Sequence, residues 1–273
     1  MNQPQIAKIN NHISIFDIKS SPILDLFLDV LTTDTLFRIE CSVKFTKNEI
    51  HPCRFHIYLQ ENKLKIMLNF LHNVKKKYNL LNFNIFKEIF NSADDFTKVR
   101  DIIFGIDIRE NCNESRIKVW IIPTIDNYEL FNKFIKYVKN KDKLVNVIYS
   151  NNVLYGFDFY LNGKCDLKLY AKYNKDIIKN NIVFQKITNL FGRKIAQLFK
   201  ASNIVEINMK NNNSNSNFNF NPINPYIFLD KIPNKNKSII EGLLNRYKDN
   251  IYFTFSENEI NDDYIENFNY YYI

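Results

Sequence analysis

The sequence predicts an α+β fold: a closed barrel of ten mostly antiparallel strands with helices packed outside it. Three observations lead there. Strand pairs recur five times along the 273 residues, and each alternates apolar with polar or aromatic residues at period two. Helical stretches with apolar spacing of three and four separate the pairs, so each helix has one face to bury on a sheet. Ten strands in an open sheet would also leave unpaired edges, which closure removes. With helices on the apolar face, the other face lines a solvent-filled lumen wide enough for a ligand.

The first pair spans 36–45 and 52–60. Phe37, Ile39, Cys41, Val43, Cys53, Phe55 and Ile57 form one face, and Arg38, Glu40, Ser42, Lys44, Arg54, His56 and Tyr58 the other. The second spans 102–109 and 116–122, with Gly105, Asp107, Arg109, Arg116, Lys118 and Trp120 on its polar face. In the third, 153–161 and 164–172 flank Asn162-Gly163, a two-residue turn signal. That turn sets Phe159 opposite Asp166, Phe157 opposite Lys168 and Tyr155 opposite Tyr170, a face of aromatics and cations. The fourth pair is 203–209 with 225–230, joined by an Asn/Ser-rich loop tip at 211–221 to which no chemistry is assigned. The fifth is 251–255 with 265–272. Helices are predicted at 22–30, 64–78, 85–90, 128–138, 175–199 (broken near Gly192) and 235–247.

Composition bounds the function. A net charge of +8 favours an anionic partner: nucleic acid, a membrane surface or a diphosphate. No run of about 18 apolar residues is present, which argues against a membrane span, and the first twenty residues lack a signal-peptide core. Cys41, Cys53, Cys112 and Cys165 form no CxxC pair, so zinc is not expected and a reducing cytoplasm fits. His51, His56 and His72 have no ligand spacing and read as structural or surface residues. Asp262-Asp263-x-x-Glu266 lies in a turn and reads as chance, and Lys75-Lys76-Lys77 as a solvated helix end.

Several segments resemble the cyanobactin peptide prenyltransferases: GIDIRENCNESRIKVWI at 105–121, GFDFYLNGKCDLKLY at 156–170, KAS at 200–202, IENFNYYY at 265–272, and the spacing of Glu40, Lys44 and Arg54. The similarity covers most of 36–272 in order. It implies the ABBA fold, αββα repeats closing a ten-stranded barrel as a single domain over 1–273. It also implies transfer of a dimethylallyl or geranyl group from its diphosphate to a ribosomal, macrocyclic peptide by a cytoplasmic monomer, without nucleic acid or membrane. Magnesium is implied as an ion carried by the diphosphate, with no ligands from the protein.

By matching position, the resemblance makes Glu40 the carboxylate that orients and deprotonates the acceptor. Arg54, Lys118, Lys168, Tyr170 and Tyr272 become diphosphate ligands, although cyanobactin enzymes carry Glu at the position of Lys168. Trp120, Phe157, Phe159, Glu206, Phe228 and Asp230 line the prenyl and acceptor pocket. Related enzymes modify Tyr, Trp, Arg, His or peptide termini. Glu206 and Asp230 fall where tyrosine-modifying relatives carry Phe and His, so the expectation leans to a cationic acceptor, an arginine, whose guanidinium would compensate two carboxylates. The bland alternative pairs those acids with lysines, and Glu40 with Arg54 or Lys44. Two other functions compete: a nucleic-acid binder, against which the charge is spread along the chain without a binding motif, and a lipid-carrying barrel, which needs no cations on several strands.

Overall fold

Ten strands form: β1 Phe37–Phe45, β2 Ile50–Leu59, β3 Val99–Asp107, β4 Arg116–Pro123, β5 Val153–Tyr160, β6 Cys165–Asn174, β7 Ser202–Lys210, β8 Ser216–Pro222, β9 Ile251–Ser256 and β10 Phe268–Tyr272. They run in the order β1-β10-β9-β8-β7-β6-β5-β4-β3-β2 and close into an antiparallel barrel with the helices outside. This computed structural model describes residues 3–32, 36–124, 128–138, 153–210, 215–247 and 250–273. Twelve α-helices are seen among them: α1 Gln3–Ile15, α2 Pro22–Val30, α3 Lys63–Lys77, α4 Asn84–Ile89, α5 Ala93–Thr97, α6 Tyr128–Ile135, α7 Lys175–Ile178, α8 Asn181–Phe191, α9 Arg193–Lys200, α10 Tyr226–Leu229, α11 Asn234–Arg246 and α12 Glu257–Asn261. None of the described helices is long and apolar enough to cross a membrane.

The chain divides into two compact units. The first comprises Met1–Ser42, His51–Tyr137 and Tyr155–Leu167, the second Val43–Ile50, Val138–Leu154 and Lys168–Ile273. In the first, α2 starts cleanly because Ser21 accepts a hydrogen bond from Leu24 N and Pro22 fills the first turn. Its Phe27 then packs on Phe55 of β2, Phe70 of α3 and Phe104 of β3 at ring distances of 6.2, 6.1 and 6.4 Å. Each such side chain, fully buried, is worth roughly 1.5–3 kcal/mol. The helix α1, unforeseen in the sequence, is tied down by polar bonds. Gln5 Oε1 accepts from Ile39 N at 2.9 Å, and His12 Nε2 donates to Pro52 O at 2.7 Å. In the second unit, Phe191 and Phe199 of α8 and α9 pack edge-on against Phe218 of β8.

Two sequence expectations need correction. The β5–β6 connection is a three-residue loop, Leu161-Asn162-Gly163. Tyr160 N bonds Lys164 O, Gly163 N bonds Tyr160 O, and Gly163 sits at φ 91°. Tyr160, not Leu161, therefore faces Lys164, and a one-residue slip sends every side chain of β5 to the other face. The second correction concerns 203–230. The strand paired with β7 is Ser216–Pro222, inside the presumed loop tip, whereas 226–229 is a helical turn. Alternation decides it: Phe218 and Phe220 bury against the helices while Asn217, Asn219 and Asn221 turn away. Residues 211–214 of that loop lie outside the described residues.

Burial pushes the His12 ring down to about 4, and the bond to Pro52 O does not offset this. The unfolded ring protonates near 6.5, so stability is full above that pH and falls as pH drops from 6.5 towards 4, by about 1.4 kcal/mol per unit and about 3 kcal/mol in all. Substitution His12→Gln keeps the donor to Pro52 and removes the titration. Urea denaturation across pH 7 to 4 should show a shallower loss of stability in the variant than in the wild type.

Candidate functional site

On the first unit, the strand face opposite the helices gathers charge. The register aligns Arg54 with Asp107, Asp107 with Arg116, Gly105 with Lys118, and Lys118 with Asp158. Antiparallel partners share a face, so four strands place these side chains together. Asp107 is fully buried and is held by three guanidiniums. Arg109 Nε lies 2.7 Å from Oδ1, Arg116 Nη2 2.7 Å from Oδ2, and Arg54 Nε 3.3 Å from Oδ2. Arg116 Nη1 also donates to Tyr160 OH at 2.6 Å and lies 3.5 Å from Asp158. Burial alone would raise the Asp107 carboxyl, but Arg116, Arg54 and Arg109 outweigh it and hold it well below the usual carboxylate range. With Lys118 the cluster holds four cations and two carboxylates, an excess of positive charge in a buried place. Such a site suits a polyanion.

Beside it stands a second group. Glu40 is 7% exposed and His56 2%. His56 Nδ1 donates to Glu40 Oε1 at 2.5 Å and Tyr58 OH donates to Oε2 at 3.1 Å, so both carboxylate oxygens are fixed. Burial drives the His56 ring below its usual pKa, against the pull of Glu40, which keeps the ring neutral at pH 7. The Trp120 ring meets His56 edge-on at 4.5 Å, and Lys118 Nζ sits 4.9 Å from the Trp120 centroid. Gly105 makes room for this: a Cβ there would come within 2.1 Å of Phe55 O and 2.5 Å of His56 Cδ2.

The second unit has its own polar face. Lys168, Tyr170 and Lys172 of β6 stand opposite Lys210, Asn208 and Glu206 of β7. Glu206 lies 3.5 Å from Lys172 and accepts from Asn219 Nδ2 at 3.2 Å.

Of the expected site residues, Glu40, Arg54, Lys118 and Trp120 share one face of the first unit, and Lys168, Tyr170 and Glu206 one face of the second. The others lie elsewhere. Phe157 and Phe159, turned by the register slip, pack on Phe86 of α4 at 5.1 and 6.1 Å. Tyr272 is buried on the helix side, stacked on Tyr247 at 4.2 Å. Its neighbour Tyr271 takes the polar side opposite Tyr252. Phe228 belongs to α10 and stacks on Phe253 and Phe255, and Asp230 is exposed just after that helix. Sequence reasoning left Asp107, Arg109, Arg116, Asp158 and His56 without a role. Alternation had already put all but Asp158 on the right face, and the mistaken turn hid Asp158.

No set of three His, Cys, Asp or Glu side chains that could hold a metal ion occurs among the described residues, and Asp107 is already engaged by guanidiniums. The site does not fit a protein-held magnesium.

Residues 3–273 match the model of a family described as a family of unknown function, DUF5838. The chain belongs to this family. No curated protein matches the sequence. Among solved structures, this DUF5838 chain shares its fold with 5-dimethylallyl tryptophan synthase from Streptomyces coelicolor in complex with DMASPP and Trp (TM-score 0.62, 8% identity, 93% of this chain and 89% of that one). NotF prenyltransferase aligns at TM-score 0.57 and 11% identity over 86% and 80% of the two chains. AnaPT from Neosartorya fischeri aligns at 0.56 and 9% over 86% and 77%.

Removing a buried counter-charge leaves its partners uncompensated, at a cost of about 3–5 kcal/mol. Asp107→Asn in this DUF5838 chain should lose stability of that order in urea denaturation. Asp17→Asn, which removes an exposed pair with Lys19, should leave the midpoint unchanged.

Proposed function

We propose that the protein is a prenyltransferase that takes a dimethylallyl or geranyl diphosphate and alkylates an aromatic side chain of a peptide. The observation that carries the reading is the excess of buried cations around Asp107 on the same face as Glu40 and Trp120. The diphosphate would lie against the cationic side chains of Lys118, Arg54, Arg109 and Arg116. Breaking the allylic C–O bond sends its electron pair to the diphosphate, and those cations stabilise the developing charge. The allylic cation left behind is shielded by π faces such as that of Trp120. The acceptor ring supplies the electron pair for the new bond, and Glu40, fixed by His56 and Tyr58, takes the proton the ring releases. Magnesium, if it takes part, arrives with the diphosphate.

The fold neighbours support this chemistry class, since one of them is described in complex with brevianamide F and DMSPP. The resemblance of 105–121 and 156–170 to cyanobactin enzymes supports a ribosomal, macrocyclic peptide as acceptor. Neither carboxylate invoked for an arginine acceptor now supports it: Asp230 is exposed beyond α10, and Glu206 already faces Lys172. An aromatic acceptor is therefore preferred.

The test is incubation with dimethylallyl and geranyl diphosphate and cyclic peptides bearing Tyr, Trp, His or Arg singly, read by mass spectrometry. Prenylation of ring-bearing peptides is expected, and prenylation of Arg peptides alone would overturn the aromatic assignment. Glu40→Gln should keep the fold and the donor KM while turnover falls on the order of a hundredfold or more. Lys118→Ala should raise the donor KM about tenfold. An unchanged rate in the first, or an unchanged KM in the second, removes that residue from the mechanism.

A further inference from the structure

Asparagine is a poor strand former, yet β8 reads Ser-Asn-Phe-Asn-Phe-Asn-Pro and places all three asparagines on one face. Their abundance follows the composition, but the alternation does not. Phe218 and Phe220 are fully buried on the helix side, whereas Asn217, Asn219 and Asn221 stay partly accessible on the polar side. The register puts Asn217 opposite Asn208 of β7 and Asn219 between Glu206 of β7 and Thr254 of β9.

The bonds among them use only part of their capacity. Asn219 Nδ2 donates to Glu206 Oε2 at 3.2 Å, and its Oδ1 accepts from Thr254 Oγ1 at 2.8 Å. Asn217 Nδ2 lies 3.5 Å from Asn208 Oδ1. Asn221 is different: its amide donates to Ile251 O at 2.8 Å and caps the strand. A primary amide has two N–H donors and two acceptor lone pairs. Asn217 and Asn219 thus each keep a donor and an acceptor beyond these bonds, on side chains held in place by their neighbours. Residues two apart on a strand repeat at about 6.6–6.8 Å, the spacing at which an extended peptide presents successive N–H and C=O pairs on one side.

We infer that Asn217 and Asn219 form a docking rail for the backbone of an extended acceptor peptide, which deepens the prenyltransferase reading and rests on it. Specificity for the backbone follows from the chemistry, since paired donors and acceptors match amides whatever the side chains.

The experiment compares the wild type with Asn217→Leu/Asn219→Leu, leaving Glu40 and the arginine cluster intact. Two acceptors are used: N-acetyl-tyrosine amide, and a capped pentapeptide with a central Tyr, the latter also in backbone N-methylated forms. Binding of the pentapeptide is measured by calorimetry, and turnover with dimethylallyl diphosphate by mass spectrometry. The double variant should bind the pentapeptide about tenfold more weakly, as expected from losing two or more hydrogen bonds. N-methylation should weaken binding to the wild type and make little difference to the variant. The KM for dimethylallyl diphosphate and the rate with N-acetyl-tyrosine amide should not move. Pentapeptide affinity indifferent to both changes overturns the rail, even where turnover persists. Asn-dependent binding without any prenyl transfer overturns the enzymatic reading and upholds the rail.

Discussion

One buried carboxylate organises the first unit's polar face. Asp107 sits where burial should neutralise it, and it stays ionised because Arg54, Arg109 and Arg116 converge on it. The dependence runs both ways, since three guanidiniums brought this close would repel one another without a shared anion. Each guanidinium has five N–H donors, and Arg116 uses one more of its own on Tyr160 OH at 2.6 Å. The carboxylate fixes where the forks point. Pre-organised cations of this kind need no rearrangement when charge develops on a leaving group.

The two units present different chemistries on their polar faces. The first is cationic around Asp107 and Asp158, and its Glu40 is bonded by His56 and Tyr58. The second is amide-rich: Asn208, Asn217 and Asn219 stand among Glu206 and Thr254, with Lys168, Lys172 and Lys210 along β6 and β7. An ionised donor is matched by charge, and a polymer of amides by paired hydrogen bonds.

Much of this was legible in the sequence. Period-two alternation in β1–β4 put Glu40, Arg54, Lys118 and Trp120 on the polar face, because the other face there is almost purely apolar and the slip of a residue would be costly. In β5 that protection failed. Phe157 and Phe159 alternate with Asp158 and Tyr160, so either face could be imagined as an aromatic lumen, and the Asn-Gly dipeptide favoured the wrong two-residue turn. The bonds from Tyr160 N to Lys164 O and from Gly163 N to Tyr160 O fix the register. The same ambiguity moved the tyrosine of β10 from 272 to 271. The β8 strand was hidden by composition, since asparagine and serine signal loops, and its alternating phenylalanines were the only contrary sign. His56 was read as structural or surface because spacing along the chain cannot reveal a partner sixteen residues away on the next strand.

The cluster around Asp107 is the proposed seat of an allylic diphosphate. Calorimetric titration with dimethylallyl thiolodiphosphate, which resists ionisation, tests it without reference to any acceptor. Saturable one-to-one binding that inorganic diphosphate displaces is expected. Binding that inorganic diphosphate does not displace, or no binding at all, would contradict it.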